Sequence, residues 1–119
     1  MKYDAFIGRW VIFHNGHLEI IRKVYNQNKR PILILIMDTD EKPHASHRLQ
    51  QISNILHKEN ILAQFLIIPP IASINWGRNV GYETNYIEVD PKIQQISGTD
   101  IRQKINNNND EWKNYVPLY

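Results

Sequence analysis

Apolar and polar positions alternate in blocks along residues 1–68. Short, almost wholly apolar blocks predict strands, and longer blocks with apolar residues every three or four positions predict helices. The predicted strands cover residues 3–7, 32–37 and 61–68; the predicted helices cover residues 16–26 and residues 44 or 46 to 58. This alternating order is typical of a parallel α/β sheet with right-handed crossovers.

The strand at residues 32–37 is the most informative of the three. All of its residues are apolar, so it lacks the alternation of a strand with one face in water. Such a strand is typical of a parallel sheet that helices cover on both faces. The predicted fold class is therefore α/β, with a doubly wound parallel sheet.

The second half of the chain has a less regular pattern. Residues 71–76 and 85–89 are weaker strand candidates, and residues 100–105 predict a short helix with Thr99 or Ser97 as its N-cap. A run of asparagines at 106–109 ends that helix, and an apolar tail follows at 112–119. Because no linker divides the chain, we expect residues 1–119 to form one small domain that ends in this helix and tail.

Composition and charge exclude several kinds of chemistry. The chain is 42% hydrophobic and carries a net charge of +2, which gives no support for a nucleic-acid partner. It has no cysteine, which excludes disulfides, thiolate catalysis and cysteine-based metal sites. No apolar run is long enough to span a bilayer and no signal-peptide pattern opens the chain, so we expect a cytoplasmic protein without a membrane partner.

The first candidate site lies where the first strand ends. Gly8 and Arg9 lead towards His14-Asn15-Gly16-His17 at the start of the first helix. Unpaired N–H groups and the positive end of the helix dipole suit such a terminus to an anion, phosphate above all. Zinc is the chemical alternative, but it needs a third ligand, and the other histidines lie on or before the second helix.

A second candidate phosphate site precedes the short C-terminal helix. Its residues are Ile96, Ser97, Gly98, Thr99, Asp100, Ile101 and Arg102. A hydroxylated turn, a helix N-terminus and an arginine fork suit phosphate oxygens. Alone, this pattern is common at ordinary capped helices. Together with the histidine stretch, it predicts the other wall of one phosphate site.

Two further groups are weaker candidates for substrate binding. Trp76 and Arg78 lie in a glycine-containing stretch that is equally typical of a tight surface loop. Asp38 and Asp40 follow the second strand, at the carboxyl edge where ligands bind in open α/β sheets. These acids could contact Mg²⁺, a ribose or neither.

The two phosphate stretches together resemble the signatures of the HxGH nucleotidylyltransferase superfamily, which is cytidylyltransferase-like and has a Rossmann-like fold. His14-Asn15-Gly16-His17 matches the first signature, and residues 96–102 match the second, Ile-Ser-Ser/Gly/Ala-Thr-x-x-Arg. Within the superfamily, Gly8-Arg9-Trp10 and the ending Trp112-Lys113-Asn114-Tyr115-Val116-Pro117 are most similar to nicotinamide mononucleotide adenylyltransferases of the archaeal and bifunctional bacterial kind. Val11-Ile12 departs from the Gln-Pro pair of that group.

The resemblance implies transfer of a nucleoside monophosphate from an NTP to a phosphate-bearing acceptor, with release of pyrophosphate. It implies catalytic roles for His14, His17 and Arg102, with Mg²⁺ held chiefly by the phosphates. The implied nucleotide-binding residues are Gly8, Arg9, Trp10, Gly16, Ile96, Ser97, Gly98 and Thr99. The acceptor oxygen is already anionic, so the reaction needs no general base.

The sequence leaves more than one pair of substrates open. The resemblance favours ATP and nicotinamide mononucleotide, whereas the short chain favours a CTP-dependent enzyme acting on a small phosphorylated metabolite. A non-catalytic nucleotide-binding module is a further alternative, against which the two histidines and Arg102 argue. The apolar tail and the small core lead us to expect a homo-oligomer.

Overall fold

A computed structural model describes residues 1–77, 81, 113–114 and 117. Three strands, β1 (Asp4–Gly8), β2 (Ile32–Met37) and β3 (Ala63–Ile68), form a parallel sheet in that order. Two helices connect them, α1 (Asn15–Asn28) and α2 (Ala45–Lys58). The predicted α/β fold class is confirmed, and these five elements begin and end within two residues of their predicted bounds.

The strand register aligns the carboxyl ends of the three strands. β2 is the central strand of the three; Gly8 of β1 lies opposite Ile36, and Met37 lies opposite Ile68 of β3. The carboxyl ends of all three strands therefore meet at one edge. The loops that lead into α1 and α2 both leave from this edge, as in other open α/β sheets that bind ligands there.

One face of β2 forms the centre of the hydrophobic core. Its fully buried residues share one cluster with the buried residues of both helices: Ile32, Ile34, Ile36, Leu18, Ile21, Ile52, Ile55 and Leu56. Each such side chain contributes about 1.5–3 kcal/mol by leaving water. The opposite face of β2, with Leu33 and Leu35, is half-buried.

The remaining predictions about the fold concern residues beyond β3. The weaker strand candidate at residues 71–76 is wrong, because the structure has no strand there. The expected strand at 85–89, the C-terminal helix at 100–105 and the second winding direction of the sheet lie outside the described residues. Within the described ranges, no helix has the length and apolar character needed to cross a membrane.

Candidate functional site at the carboxyl edge of the sheet

Two histidine side chains cap the start of α1. His14 is the N-cap residue, and its Nδ1 accepts hydrogen bonds from the backbone N–H groups of Gly16 and His17, at 3.1 and 3.4 Å. The Nδ1 of His17 accepts the N–H of His14 at 3.1 Å. This is a reciprocal capping box in which imidazoles replace the usual hydroxyl and carboxylate.

The capping box changes the expected way in which this helix end meets an anion. The sequence predicts unpaired N–H groups in the first turn, yet His14 Nδ1 accepts two of them, those of Gly16 and His17. Because both Nδ1 atoms are acceptors, a neutral ring at either position carries its proton on Nε2. The donors for a ligand are therefore the two Nε2–H groups, with the helix dipole behind them.

The two imidazoles lie against each other and are held neutral. Their ring centroids are 3.6 Å apart with an interplanar angle of 17°. His14 is only 7% exposed, and burial lowers its pKa to about 4. Burial, and then the proximity of His14, lowers the pKa of His17 to about 3. At neutral pH both side chains are therefore uncharged donors.

Aromatic side chains surround His17 and fix its ring. The indole of Trp10 meets it edge to face, with centroids 5.0 Å apart, and Phe13 stacks on it at 5.5 Å. Trp10 is 8% exposed, has a positive φ of 59°, and donates its Nε1–H to the Leu35 carbonyl at 3.0 Å. The structure thus places Trp10 in the core as a support for His17; its contact with a nucleotide stays a prediction.

Gly8 allows this close packing at the end of β1. A Cβ atom at Gly8 would lie 3.2 Å from Cε2 of the Trp10 indole, which is tighter than an ordinary van der Waals contact. Any side chain at this position would therefore displace the indole that contacts His17.

Arg9 connects the two loops of the carboxyl edge through an ion pair. Its Nη1 lies 2.9 Å from Oε1 of Glu41, in the loop between β2 and α2, and 48% of the Arg9 side chain is exposed. The guanidinium therefore remains accessible to a ligand. Asp38 and Asp40 lie exposed in the same loop, and the Asp38 N–H donates to the Ile68 carbonyl at 2.8 Å.

Arg48 of α2 is a residue of this edge that the sequence reasoning missed. It is fully buried and donates to the carbonyl oxygens of Pro43, at 2.7 Å, and Met37, at 3.2 Å. It also donates to the Arg9 carbonyl oxygen, and to Thr39 Oγ1 at 3.3 Å. A signal was present in the sequence, because Arg48 falls on the apolar stripe of α2 with Ala45 and Ile52. A charged residue in such a stripe predicts a buried, hydrogen-bonded group.

Comparison with known proteins identifies the family. No protein-family model matches the chain. It is 28% identical to a nicotinamide-nucleotide adenylyltransferase of Methanococcus vannielii, over 95% of this chain and 83% of the relative. It is 30% identical to the Methanococcus aeolicus protein of the same name, over 93% of this chain and 81% of the relative. The chain belongs to the nicotinamide-nucleotide adenylyltransferase family.

The structure describes some of the residues chosen from the sequence and shows where they lie, while their roles in binding and catalysis stay predictions. Gly8, Arg9, His14, Gly16 and His17 all lie in β1 or between β1 and the first turn of α1. Trp76 follows β3 with half of its side chain exposed. The rest of the predicted site lies outside the described residues: Arg78, Ile96, Ser97, Gly98, Thr99 and Arg102.

Proposed function

We propose that this chain transfers the adenylyl group of ATP to nicotinamide mononucleotide and releases pyrophosphate. The carrying observation is the neutral, stacked histidine pair that caps α1, in a chain whose relatives are named nicotinamide-nucleotide adenylyltransferases. In this reaction an acceptor phosphate oxygen bonds to the α-phosphorus of ATP, and the bond from that phosphorus to the bridging oxygen breaks. The products are the dinucleotide and pyrophosphate.

The histidine pair supplies hydrogen bonds to phosphate oxygens as their charge changes during the transfer. Each Nε2–H is oriented in advance, because the Nδ1 of the same ring is held by backbone N–H groups. Preorganised donors of this kind lower the barrier without reorganisation during the reaction. A neutral pair can also lie 3.6 Å apart without the repulsion that two imidazolium rings would experience.

The other contacts with ATP are proposed from the family resemblance. Arg9 would bind either the triphosphate or the acceptor phosphate, and its accessible guanidinium supports this role. Arg102, with the hydroxyl groups of Ser97 and Thr99, would hold the leaving pyrophosphate.

We propose that Mg²⁺ reaches the site bound to the ATP phosphates. Among the described residues, no group of three histidine or carboxylate side chains is placed to hold a metal ion. Mg²⁺ commonly keeps several waters and binds through substrate phosphates. Its chemistry here is to neutralise phosphate charge, while the chain's own donors orient the α-phosphate.

The test is a direct assay with defined substrates. The protein is incubated with ATP, Mg²⁺ and nicotinamide mononucleotide; pyrophosphate is measured together with dinucleotide, which a coupled dehydrogenase reduces. We expect both products in equal amounts.

Parallel reactions contain CTP with a panel of phosphomonoesters. Pyrophosphate from CTP alone would replace the proposal with the cytidylyltransferase alternative, and ATP binding without turnover would favour a non-catalytic module.

Two further proposals concern the protein as a whole. A homo-oligomer is supported by the small core and by the apolar residues near the end of the chain, and light scattering during gel filtration tests it. A cytoplasmic location is likewise proposed from the sequence, and cell fractionation tests it.

A further inference from the structure

The buried guanidinium of Arg48 connects backbone segments that are far apart in the sequence. Its acceptors belong to the loop after β1, through the Arg9 carbonyl, to the last residue of β2, Met37, and to the loop after β2, through Thr39. A further acceptor is the Pro43 carbonyl, just before α2. Both loops of the carboxyl edge therefore meet at one side chain.

Among the described residues, the acceptors of Arg48 are carbonyl or hydroxyl oxygens, without a carboxylate among them. A buried cation is stable only when its donors are satisfied, so each of these oxygens has a preferred position relative to the planar guanidinium. These hydrogen bonds therefore fix the positions of the two loops. An ion pair between exposed side chains is too weak to do so.

The Arg48 hydrogen bonds have their largest effect on the orientation of Arg9. Its side chain is half exposed and bonds to Glu41 in the opposite loop, so that contact orients the guanidinium only weakly. Its main chain is bounded on one side by the Arg48 hydrogen bond and on the other by the buried Trp10. The Arg48 hydrogen bond and the buried Trp10 therefore determine the direction in which the Arg9 side chain leaves the sheet.

We propose that Arg48 is a positioning residue that acts through Arg9: it holds the Arg9 main chain and the β2–α2 loop so that the Arg9 guanidinium meets a substrate phosphate. This inference rests on the proposed adenylyl transfer and deepens it. A lysine could not replace Arg48, because one ammonium nitrogen cannot reach the separate acceptors that a five-donor guanidinium spans.

The experiment measures steady-state kinetics for Arg48→Lys beside Arg9→Ala and the combined variant. We expect Arg48→Lys to raise the KM of the same substrate that Arg9→Ala raises, by about 10- to 100-fold, because small misplacements of a binding group have effects of that size. In the Arg9→Ala background, Arg48→Lys should cause no further rise. This coupling is a readout that general destabilisation would not produce.

Arg22→Lys is the matched control. Arg22 also makes more than one hydrogen bond, to Glu59 beyond the end of α2, away from the carboxyl edge. We expect it to lower the melting temperature without changing either KM. Additive effects of Arg9→Ala and Arg48→Lys, or equal KM values for Arg48→Lys and Arg22→Lys, would overturn the proposal.

A second variant keeps the proposal testable if Arg48→Lys does not fold. Thr39→Val removes the hydroxyl acceptor of Arg48 with little change in side-chain volume. It should raise the same KM in the same direction, and an unchanged KM would contradict the proposal. The wild-type reaction separates the proposed adenylyl transfer from the proposed role of Arg48. If the wild-type protein does not react, adenylyl transfer is rejected. If it turns over normally but the effects of Arg9→Ala and Arg48→Lys are additive, only the role of Arg48 is rejected.

Discussion

At the scale of single residues, the main result is how the two motif histidines are held. Each ring caps the other's backbone through Nδ1, which leaves both protons on Nε2. Surrounding aromatic rings fix His17 and help to keep it neutral. The same two residues therefore cap the start of the helix and supply the Nε2–H groups that we propose as donors to phosphate.

His17→Ala should reduce kcat by about 10²–10³, as removal of one preorganised donor does in other enzymes. The substitution also removes the acceptor for the His14 N–H, so a modest loss of stability accompanies it. Turnover is measured below the melting transition of the variant. His57→Ala, at an exposed histidine of α2, is the control and should retain full activity. Undiminished turnover in His17→Ala would contradict the proposed role.

Glu41→Gln tests the ion pair across the mouth of the site. Glu41 pairs with the Arg9 guanidinium. In the proposed complex its carboxylate would compete with phosphate for Arg9 and would repel a polyanion. We expect the variant to bind ATP several-fold more tightly, measured by isothermal titration calorimetry. Its free energy of unfolding should change by no more than about 1 kcal/mol, because exposed ion pairs contribute little. Weaker ATP binding would instead show that Glu41 is needed to orient Arg9.

At the scale of elements, side-chain packing couples the strand ends and the helix starts at the carboxyl edge of the sheet. β1 ends at Gly8, whose missing side chain admits the Trp10 indole, and that indole bonds to β2 and contacts His17 of α1. Packing thus links the end of one strand, the next strand and the following helix.

Gly8→Ala should therefore lower activity through this contact chain. The new Cβ would lie 3.2 Å from the indole, so Trp10 and with it His17 must shift. We expect kcat to fall about tenfold and stability to fall by about 1–3 kcal/mol, as for other overpacked positions. Gly77→Ala is the matched control, since a Cβ there meets no atom of the described residues within 4 Å. Equal activity of the two variants would show that the indole adjusts without moving His17.

At the scale of the whole molecule, the resemblance found in the sequence is confirmed by the Methanococcus relatives, which cover almost all of the chain. The described residues form the sheet, its two helices and the first half of the expected phosphate site. The burial that holds this part of the fold together also determines the protonation state of the histidines.

Global stability should consequently fall as the pH is lowered below about 6.5. The unfolded chain binds protons at His14 and His17 near their ordinary pKa of 6.5, whereas the folded chain resists them until about pH 4 and 3. Between these values protons favour the unfolded state, by up to about 1.4 kcal/mol per histidine for each pH unit. Urea unfolding at pH 7, 6 and 5 measures the slope.

The control for this prediction is the double variant His14→Ser, His17→Glu, which rebuilds an ordinary capping box. Because carboxylates titrate near pH 4, this variant should lose most of the slope between pH 5 and 6.5. Identical slopes in the two proteins would mean that the histidine pair is not the source of the pH dependence.

The local pattern of the sequence was enough to predict the five described elements and the family. Strand and helix periodicities depend on neighbouring residues, and the His14-Asn15-Gly16-His17 signature is continuous in the chain. The position of that signature at a sheet edge follows from β1 ending just before it. These features needed no knowledge of distant contacts.

Only the tertiary structure decided how the site is supported. The Arg48 hydrogen bond to Arg9 joins residues 39 positions apart, and the Trp10 bond to Leu35 joins residues 25 apart. The lowered pKa values of His14 and His17 arise from burial, which depends on the packing of the surrounding chain rather than on the motif alone. The sequence thus singled out the two histidines as candidate donors, while long-range packing decided their protonation and the direction of their rings.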